Sequence, residues 1–252
     1  MRIFNKNKKV NVGIDIDEIF RAKWLQFDKY YVEEFGEDGV PENEPYVFDF
    51  FEHYKWEDTV EETRELKELE DMPEDINPQF YQVDNETGEA LADDLIFKKK
   101  EKNLITAREM YDRFMYEDYL FELHGSAPLM YKGMDLHINN LLLKYCEKVN
   151  FIVKSVENRL TIPPTLFFLS RMSSRFDKYE FVSNANELWK NVDVLITTNP
   201  ELIKKGPPLG KKLIKLDRPY NKDLGDCDLT ALHLNDLNGN KKFEKIIKYK
   251  NK

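Results

Sequence analysis

The stretch KVNVGIDIDEIF (residues 9–20) constrains the fold most strongly, because an apolar strand here runs into two aspartates, Asp15 and Asp17. The strand is almost continuously apolar, which is typical of a buried strand in a parallel sheet. Residues 19–36 follow with helical spacing and end at Gly36, so the segment predicts the first half of a β–α–β unit. Two close carboxylates repel each other and resist burial. They predict either a bound cation or, more simply, a solvated turn or a helix cap.

Composition predicts a globular protein and excludes several classes of function. The chain has 252 residues and a formal net charge of −9, which argues against a broad or sequence-specific nucleic-acid-binding face. Cys146 and Cys227 lie far apart, so we expect a reducing compartment, and the scattered histidines predict no zinc site. We find neither the apolar segment of a signal peptide nor a run of membrane-spanning length. The sequence therefore predicts a cytoplasmic protein without a membrane partner.

Three later segments repeat the pattern of a short apolar strand with polar residues at its end. Residues 165–169 end at Ser170, the strand 192–196 ends at Thr197 and Thr198, and the last of the three ends at Asp217. The carboxyl ends of parallel strands meet at one edge of a sheet. We therefore expect one group of neighbouring side chains: Asp15, Asp17, Ser170, Thr197 and Asp217.

Residues 40–131 predict a helical and hairpin insertion in an α/β core made of residues 1–39 and 132–252. Residues 57–75 contain ten acidic and two basic side chains, which indicates a solvated helix face or a mobile excursion. Turn-forming residues within the segment 80–97 predict a hairpin. Two further helices are predicted, over residues 106–125 and 134–158.

The spacing of Asp15 and Asp17 suits phosphoryl transfer through an aspartyl phosphate, in which one carboxylate attacks phosphorus and the other protonates the leaving oxygen. With GIDIDEIF, LFFLSR and the Pro-Tyr-Asn turn at 219–221, the sequence resembles the haloacid-dehalogenase-like (HAD) superfamily. Its 5′(3′)-deoxyribonucleotidase-like branch, found in bacteria and tailed phages, is the most similar part. The resemblance implies a Rossmann-like parallel sheet flanked by helices, with residues 40–131 in the place of a cap.

The resemblance also implies roles for individual residues. It makes Asp15 the nucleophile and Asp17 the acid/base. Phosphate contacts would come from Ser170, Arg171 and Lys205. In an active member Mg²⁺ would be held by Asp15, Asp17 and Asp217.

Two of the family's four motifs are altered. Thr197 and Thr198 stand where the family has a pair of acids, and Asn186 or Glu187 stands where it has a lysine. Threonine is a poor exchange for a carboxylate around a hard dication, and a glutamate there would repel a phosphate. One lost contact of this kind costs about 3 kcal/mol of transition-state stabilisation. The candidate replacements are Asp217 for the acid and Lys204, Lys205 or Lys211 for the lysine.

Two main hypotheses follow from these residues. The first is a non-catalytic HAD-like protein without a cofactor, which acts as a structural or assembly module and binds other protein subunits. The phage-rich branch suggests a neck or ring component of a tailed-phage virion, located in the host cytoplasm or the virion. The alternative is a Mg²⁺-dependent 5′-nucleotidase-type phosphatase with Asp15 as nucleophile. A third possibility is a site that binds phosphate, nucleotide or metal without turnover.

Overall fold

A computed structural model describes residues 9–40, 48–66 and 97–248, with the backbone alone for 61–66 and 97–103. The chain divides into two compact units, one formed by residues Met1–Lys55 and Asp112–Lys252 and the other by Trp56–Tyr111. The expected limits of the insertion, 40 and 131, stay a prediction. In the described part of the chain no helix combines the length and the hydropathy needed to cross a membrane.

A six-stranded parallel sheet forms the centre of the larger unit, with the strand order β5–β4–β1–β6–β7–β8. Its strands are β1 (Val10–Asp15), β4 (Val149–Val156), β5 (Lys178–Val182), β6 (Val194–Thr197), β7 (Lys212–Leu216) and β8 (Leu229–Ala231). Helices cover the sheet, and the buried apolar side chains form clusters against it. The predicted α/β class, a parallel sheet flanked by helices, is confirmed.

The first strand, β1, lies between β4 and β6 inside this sheet, and nearly all of its residues are apolar or small enough to be buried there. Val12 pairs with Phe151 of β4 and with Val194 of β6, and it is fully buried. Gly13 is required by close packing, since a Cβ atom there would lie 2.8 Å from Cγ1 of Val192. The central position of β1 places Asp15 between the ends of two neighbouring strands.

Eight α-helices are described. In chain order they are α1 (Lys23–Phe35), α2 (Phe50–His53), α3 (Ala107–Arg113), α4 (Leu120–His124), α5 (Met134–Tyr145), α6 (Ile162–Arg171), α7 (Pro200–Lys205) and α8 (Lys241–Ile246). The predicted first helix is confirmed as α1, which is followed by Gly36 with φ of 81°. The predicted helix 106–125 is confirmed as α3, a π-helical segment (Phe114–Asp118) and α4.

Two predicted elements between residues 134 and 171 are wrong in type. The helix predicted over 134–158 ends with α5, and the β-branched run after it forms β4 instead. The strand predicted over 165–169 is part of helix α6. Pro163 and Pro164 lie in the first turn of this helix, where proline is tolerated, and its buried residues Thr165, Phe168 and Leu169 follow helical spacing.

The smaller unit contains an antiparallel pair of strands, β2 (Thr59–Leu66) and β3 (Phe97–Ile105). The helical alternative for the acidic segment is therefore wrong over 59–66. The hairpin predicted at 80–97 falls almost wholly outside the described residues, apart from Phe97.

Gly13→Ala should destabilise the protein by roughly 1–3 kcal/mol, because the new methyl group overpacks the buried contact with Val192. Urea denaturation measures the change. Ser170→Ala, on an exposed position of α6, is the control and should change stability by less than about 0.5 kcal/mol. Equal stability of the two variants would contradict the packing described for β1.

Candidate functional site

The carboxyl ends of β1 and its neighbours border a cleft of about 600 Å³. Asp15 and Asp17 line it, together with Thr198 from the end of β6. Its remaining wall includes two lysines, Lys23 and Lys204, and three aromatic side chains: Phe48, Phe50 and Tyr220. A cleft of this size at the carboxyl edge of a parallel sheet is the expected place for a ligand.

Asp15 is buried, and both of its carboxylate oxygens accept hydrogen bonds from the protein. Oδ1 accepts from the backbone N–H of Ile16 at 2.9 Å, and Oδ2 accepts from the Thr197 hydroxyl at 2.8 Å. Burial and then the charge of Asp17 raise the pKa of Asp15 to about 7, although the two hydrogen bonds oppose the shift. Near neutral pH this carboxyl therefore carries a proton for much of the time, and a protonated carboxyl is a poor nucleophile.

Asp17 has the opposite electrostatic environment. Its Oδ1 atom lies 2.7 Å from Nε and 2.6 Å from Nη2 of Arg21, and Oδ2 lies 3.8 Å from Nζ of Lys23. Burial acts to raise the pKa of Asp17, but Arg21 and Lys23 outweigh it and the pKa lies below its ordinary value. A carboxylate held in this way stays ionised. It is poorly suited to carry a proton to a leaving group.

Arg21 is fully buried and bonds to groups from three other elements. Nη2 lies 3.1 Å from the Glu157 carboxylate after β4, and Nη1 donates to the Thr165 hydroxyl of α6 and the His124 carbonyl of α4, both at 2.8 Å. A buried charge is tolerated only when it is paired and its donors are satisfied. Arg21 therefore joins the β1–α1 turn to the elements around it.

The end of β6 supplies neutral hydroxyls to the end of β1. Thr197 donates to Asp15 and accepts from the backbone N–H of Asn199 at 3.0 Å, and the Thr198 hydroxyl donates to the Asp17 carbonyl at 3.1 Å. Asn221, in the Pro-Tyr-Asn turn, donates to the Thr198 carbonyl at 2.9 Å. The threonines thus bond two strand ends together, in place of the two acids that the resemblance implies.

Several of the other predicted site residues lie outside the lining of this cleft. Ser170 lies on the exposed side of α6 and donates to the Phe167 carbonyl, so its predicted place at a strand end is wrong. The neighbouring Arg171 donates to the carbonyl of Gly125 at 3.0 Å.

Three further predicted residues bond to protein groups outside the lining of the cleft. Lys205 donates to the Asn186 side chain at 2.8 Å, and Asp217 pairs with Lys215 at 2.9 Å. Glu187 accepts from the backbone and hydroxyl of Ser183. Of the lysines proposed as replacements, Lys204 lines the cleft, whereas Lys211 donates to the Trp189 carbonyl.

Sequence reasoning missed Arg21, Lys23, Ser155 and Glu157. Ser155 is buried near the carboxyl end of β4 and donates to Glu157 at 2.8 Å, so β4 supplies the polar strand end that had been assigned to Ser170. Arg21 could have been noticed as a cation within an apolar stretch, although its spacing from Asp17 alone does not reveal burial. The predicted capping of α1 by Asp15 or Asp17 is not found: the N-cap residue is Ala22, and the Glu18 side chain accepts from the backbone N–H of Trp24 in the first turn at 3.0 Å.

The residues present do not fit the magnesium site that the resemblance implies. Asp17 is already paired with Arg21, Asp217 pairs with Lys215 away from the cleft lining, and the end of β6 offers hydroxyls. Mg²⁺ is normally held by carboxylates and water. Among the residues that the structure describes, no group of three or more Asp, Glu, His or Cys side chains is arranged to hold a metal ion.

Comparison with known proteins finds a weak similarity of fold. No family model matches the chain, and no curated protein matches it. Similar solved structures include a putative haloacid dehalogenase-like hydrolase from Burkholderia xenovorans LB400. It is 10% identical, with a TM-score of 0.47, and the match covers 92% of this chain and 96% of that one. This similarity is too low to assign a family or an activity.

Arg21→Met should destabilise the protein by roughly 3–5 kcal/mol, because it leaves Asp17 and Glu157 without their buried cation. Urea denaturation at neutral pH measures the loss. Arg171→Met is the matched control and should cost less than about 1.5 kcal/mol, since that residue is exposed. A loss below about 1 kcal/mol for Arg21→Met would contradict the role given to the guanidinium.

The contribution of Asp15 and Glu18 to stability should fall as pH rises from about 4 to about 7, because burial raises the pKa of both to about 7. Burial lowers the pKa of His124, which contributes the opposite trend. Between the unfolded and folded pKa values of the two carboxyls, the folded state binds more protons than the unfolded state, so rising pH favours unfolding. Asp15→Asn should remove roughly 2–4 kcal/mol of this pH-dependent loss. Urea denaturation at several pH values tests it, with the exposed Asp49→Asn as control. An unchanged pH slope in Asp15→Asn would show that Asp15 does not carry the effect.

Proposed function

We propose that this protein is a non-catalytic α/β module that acts through contacts with other protein subunits. The observation that carries the proposal is the pairing of Asp17 with the buried Arg21, beside an Asp15 that is already bonded to Thr197. Aspartyl-phosphate chemistry requires an ionised nucleophile and a protonated acid. Here the environment favours a proton on Asp15 and an ionised Asp17, so the two protonation states are the reverse of those that the reaction requires.

The charge of the cleft also disfavours a phosphate ester. Two lysines line the cleft, and one of them, Lys23, already lies beside Asp17. Besides Asp15, the acidic residues that line it are Asp17, Asp49, Glu52 and Glu201. A dianionic phosphate would therefore meet more negative than positive groups.

Two parts of this proposal, the HAD-like ancestry and the phage virion role, are supported by the sequence motifs alone. Thr197 and Thr198 support the non-catalytic part, since they replace the acids of active members with hydroxyls that bond to β1. A neck or ring component of a tailed-phage virion is one setting in which such a module would serve. No cofactor is needed for this role.

A Mg²⁺-dependent 5′-nucleotidase remains the second candidate because Asp15, Asp17 and Lys204 line one cleft. Purified protein, incubated with each deoxynucleoside monophosphate with and without Mg²⁺, tests both candidates by phosphate release. We expect release no faster than from the Asp15→Asn variant. The matched control is Asp49→Asn, which changes an exposed carboxylate of the same cleft. Mg²⁺-dependent turnover that is lost in Asp15→Asn and kept in Asp49→Asn would overturn the proposal.

A further inference from the structure

We propose that helix α6 joins two copies of this chain in a two-fold contact, with α6 of each copy beside α4 of the other. The contact uses the side of α6 that carries Pro163, Leu166, Phe167 and Ser170, called here the outer face. This inference rests on the proposed function, since a module that acts through subunit contacts requires a joining surface. The partner in this case is a second copy of the same chain.

Helix α6 is apolar on two opposite sides, which is unusual for a helix at the surface of a protein. Phe168 and Leu169 are buried in the core. On the outer face, Leu166 and Phe167 are 46% and 45% exposed. A surface helix normally carries polar residues on its solvent side, and a helix that is apolar all round is typical of a buried one. The outer face therefore has the composition of a covered surface.

Helix α4 extends the outer face with a third large apolar side chain. Phe121 packs against Phe167 with ring centroids 4.9 Å apart, and it is 45% exposed. Leu166, Phe167 and Phe121 together expose about 300 Å² of apolar surface, a patch size that is often functional. An interface of standard size buries about 800 Å² on each partner, with a polar rim around an apolar core. The three side chains can form such a core, and the polar residues around them can form the rim.

Helices α4 and α6 run side by side in the same direction. Phe121 lies beside Phe167, and one turn further along each helix Nη1 of Arg171 donates to the carbonyl of Gly125 at 3.0 Å. Glu122 of α4 and Arg171 of α6 therefore lie within about one turn of each other along the pair of helices.

These two charged side chains are available to a partner. Nη1 of Arg171 donates to the carbonyls of Gly125 and Ala127, whereas its Nε and Nη2 bond to none of the residues that the structure describes. The half-buried side chain of Glu122 likewise makes no hydrogen bond or ion pair within the described part of the chain. One basic and one acidic group therefore lie at the border of the apolar patch.

The charges select the orientation of the contact. A two-fold axis that runs between α4 and α6 sets Arg171 of each copy toward Glu122 of the other. An axis that crosses both helices would instead face α4 with α4 and α6 with α6, so that like charges meet. The first arrangement is self-complementary, and it closes after two copies.

The first experiment is sedimentation velocity on the full chain over a range of concentrations. We expect a dimer at high concentration and no larger species, because a two-fold contact closes. Leu166→Asp should weaken dimerisation at least about tenfold, since a carboxylate would be buried in the contact. The matched control is Leu209→Asp in the loop between α7 and β7, where the leucine is fully exposed and its replacement should leave the dimer unchanged.

Several results of this experiment would overturn the proposal: a monomer at every concentration, species larger than a dimer, or equal loss of association in the two variants. Urea denaturation checks that both variants fold as the unaltered chain does. A monomer that binds vesicles of phosphatidylcholine and phosphatidylserine, and loses this binding in Leu166→Asp, would overturn the proposal in favour of a lipid surface.

The second experiment tests the orientation with two charge reversals. Glu122→Arg and Arg171→Glu should each dimerise at least about tenfold more weakly than the unaltered chain, because like charges then face each other. Mixed in equal amounts, the two variants should form a dimer again, since each then meets opposite charges on the other. No recovery on mixing, or unaltered dimerisation of each variant alone, would contradict the proposed contact.

Phosphate release is read separately on the same preparations. An inactive monomer rejects the contact alone, whereas an active dimer rejects the non-catalytic role alone.

Discussion

The buried guanidinium of Arg21 is the interaction on which the strand-end site depends. It brings the carboxylates of Asp17 and Glu157 to one point inside the protein and satisfies them there, together with the hydroxyl of Thr165. Without it, two acids would be buried beside Asp15 with too little positive charge, and folding would have to protonate or expose them. The positions of β1, β4 and α6 relative to one another are therefore coupled to this single cation.

The same interaction explains why two aspartates lie at a strand end where the described residues form no metal-binding group. Asp17 compensates Arg21, and Asp15 connects the end of β1 to β6 through Thr197. Both carboxylates thus have structural partners, and their presence at this strand end does not require catalysis. The pKa values follow from this division of roles, since the paired aspartate is held ionised and the hydrogen-bonded one is shifted toward neutrality by burial.

Much of the fold was predictable from local pattern, and the errors have a common physical origin. The strands β1, β6 and β7 and the helix α1 carry strong periodicity and clear ends. Residues 165–169 are as apolar as a buried strand. They are helical because two prolines lie in the first turn, and one face of the helix packs into the core beside the sheet. Because these residues are helical, Ser170 lies at an exposed helix position and not at the cleft. The same error concealed the buried hydroxyl of Ser155 near the end of β4.

The sequence by itself determined the class of fold, the placement of Asp15 and Asp17 at the end of a buried strand, and the hydroxyls of Thr197 and Thr198 across from them. It could do so because burial and strand periodicity are properties of neighbouring residues. Only the tertiary structure decided what those carboxylates face. Arg21 meets Glu157 and Thr165 across more than 130 residues of chain, and the resulting charge balance depends on distances in space that no local pattern encodes.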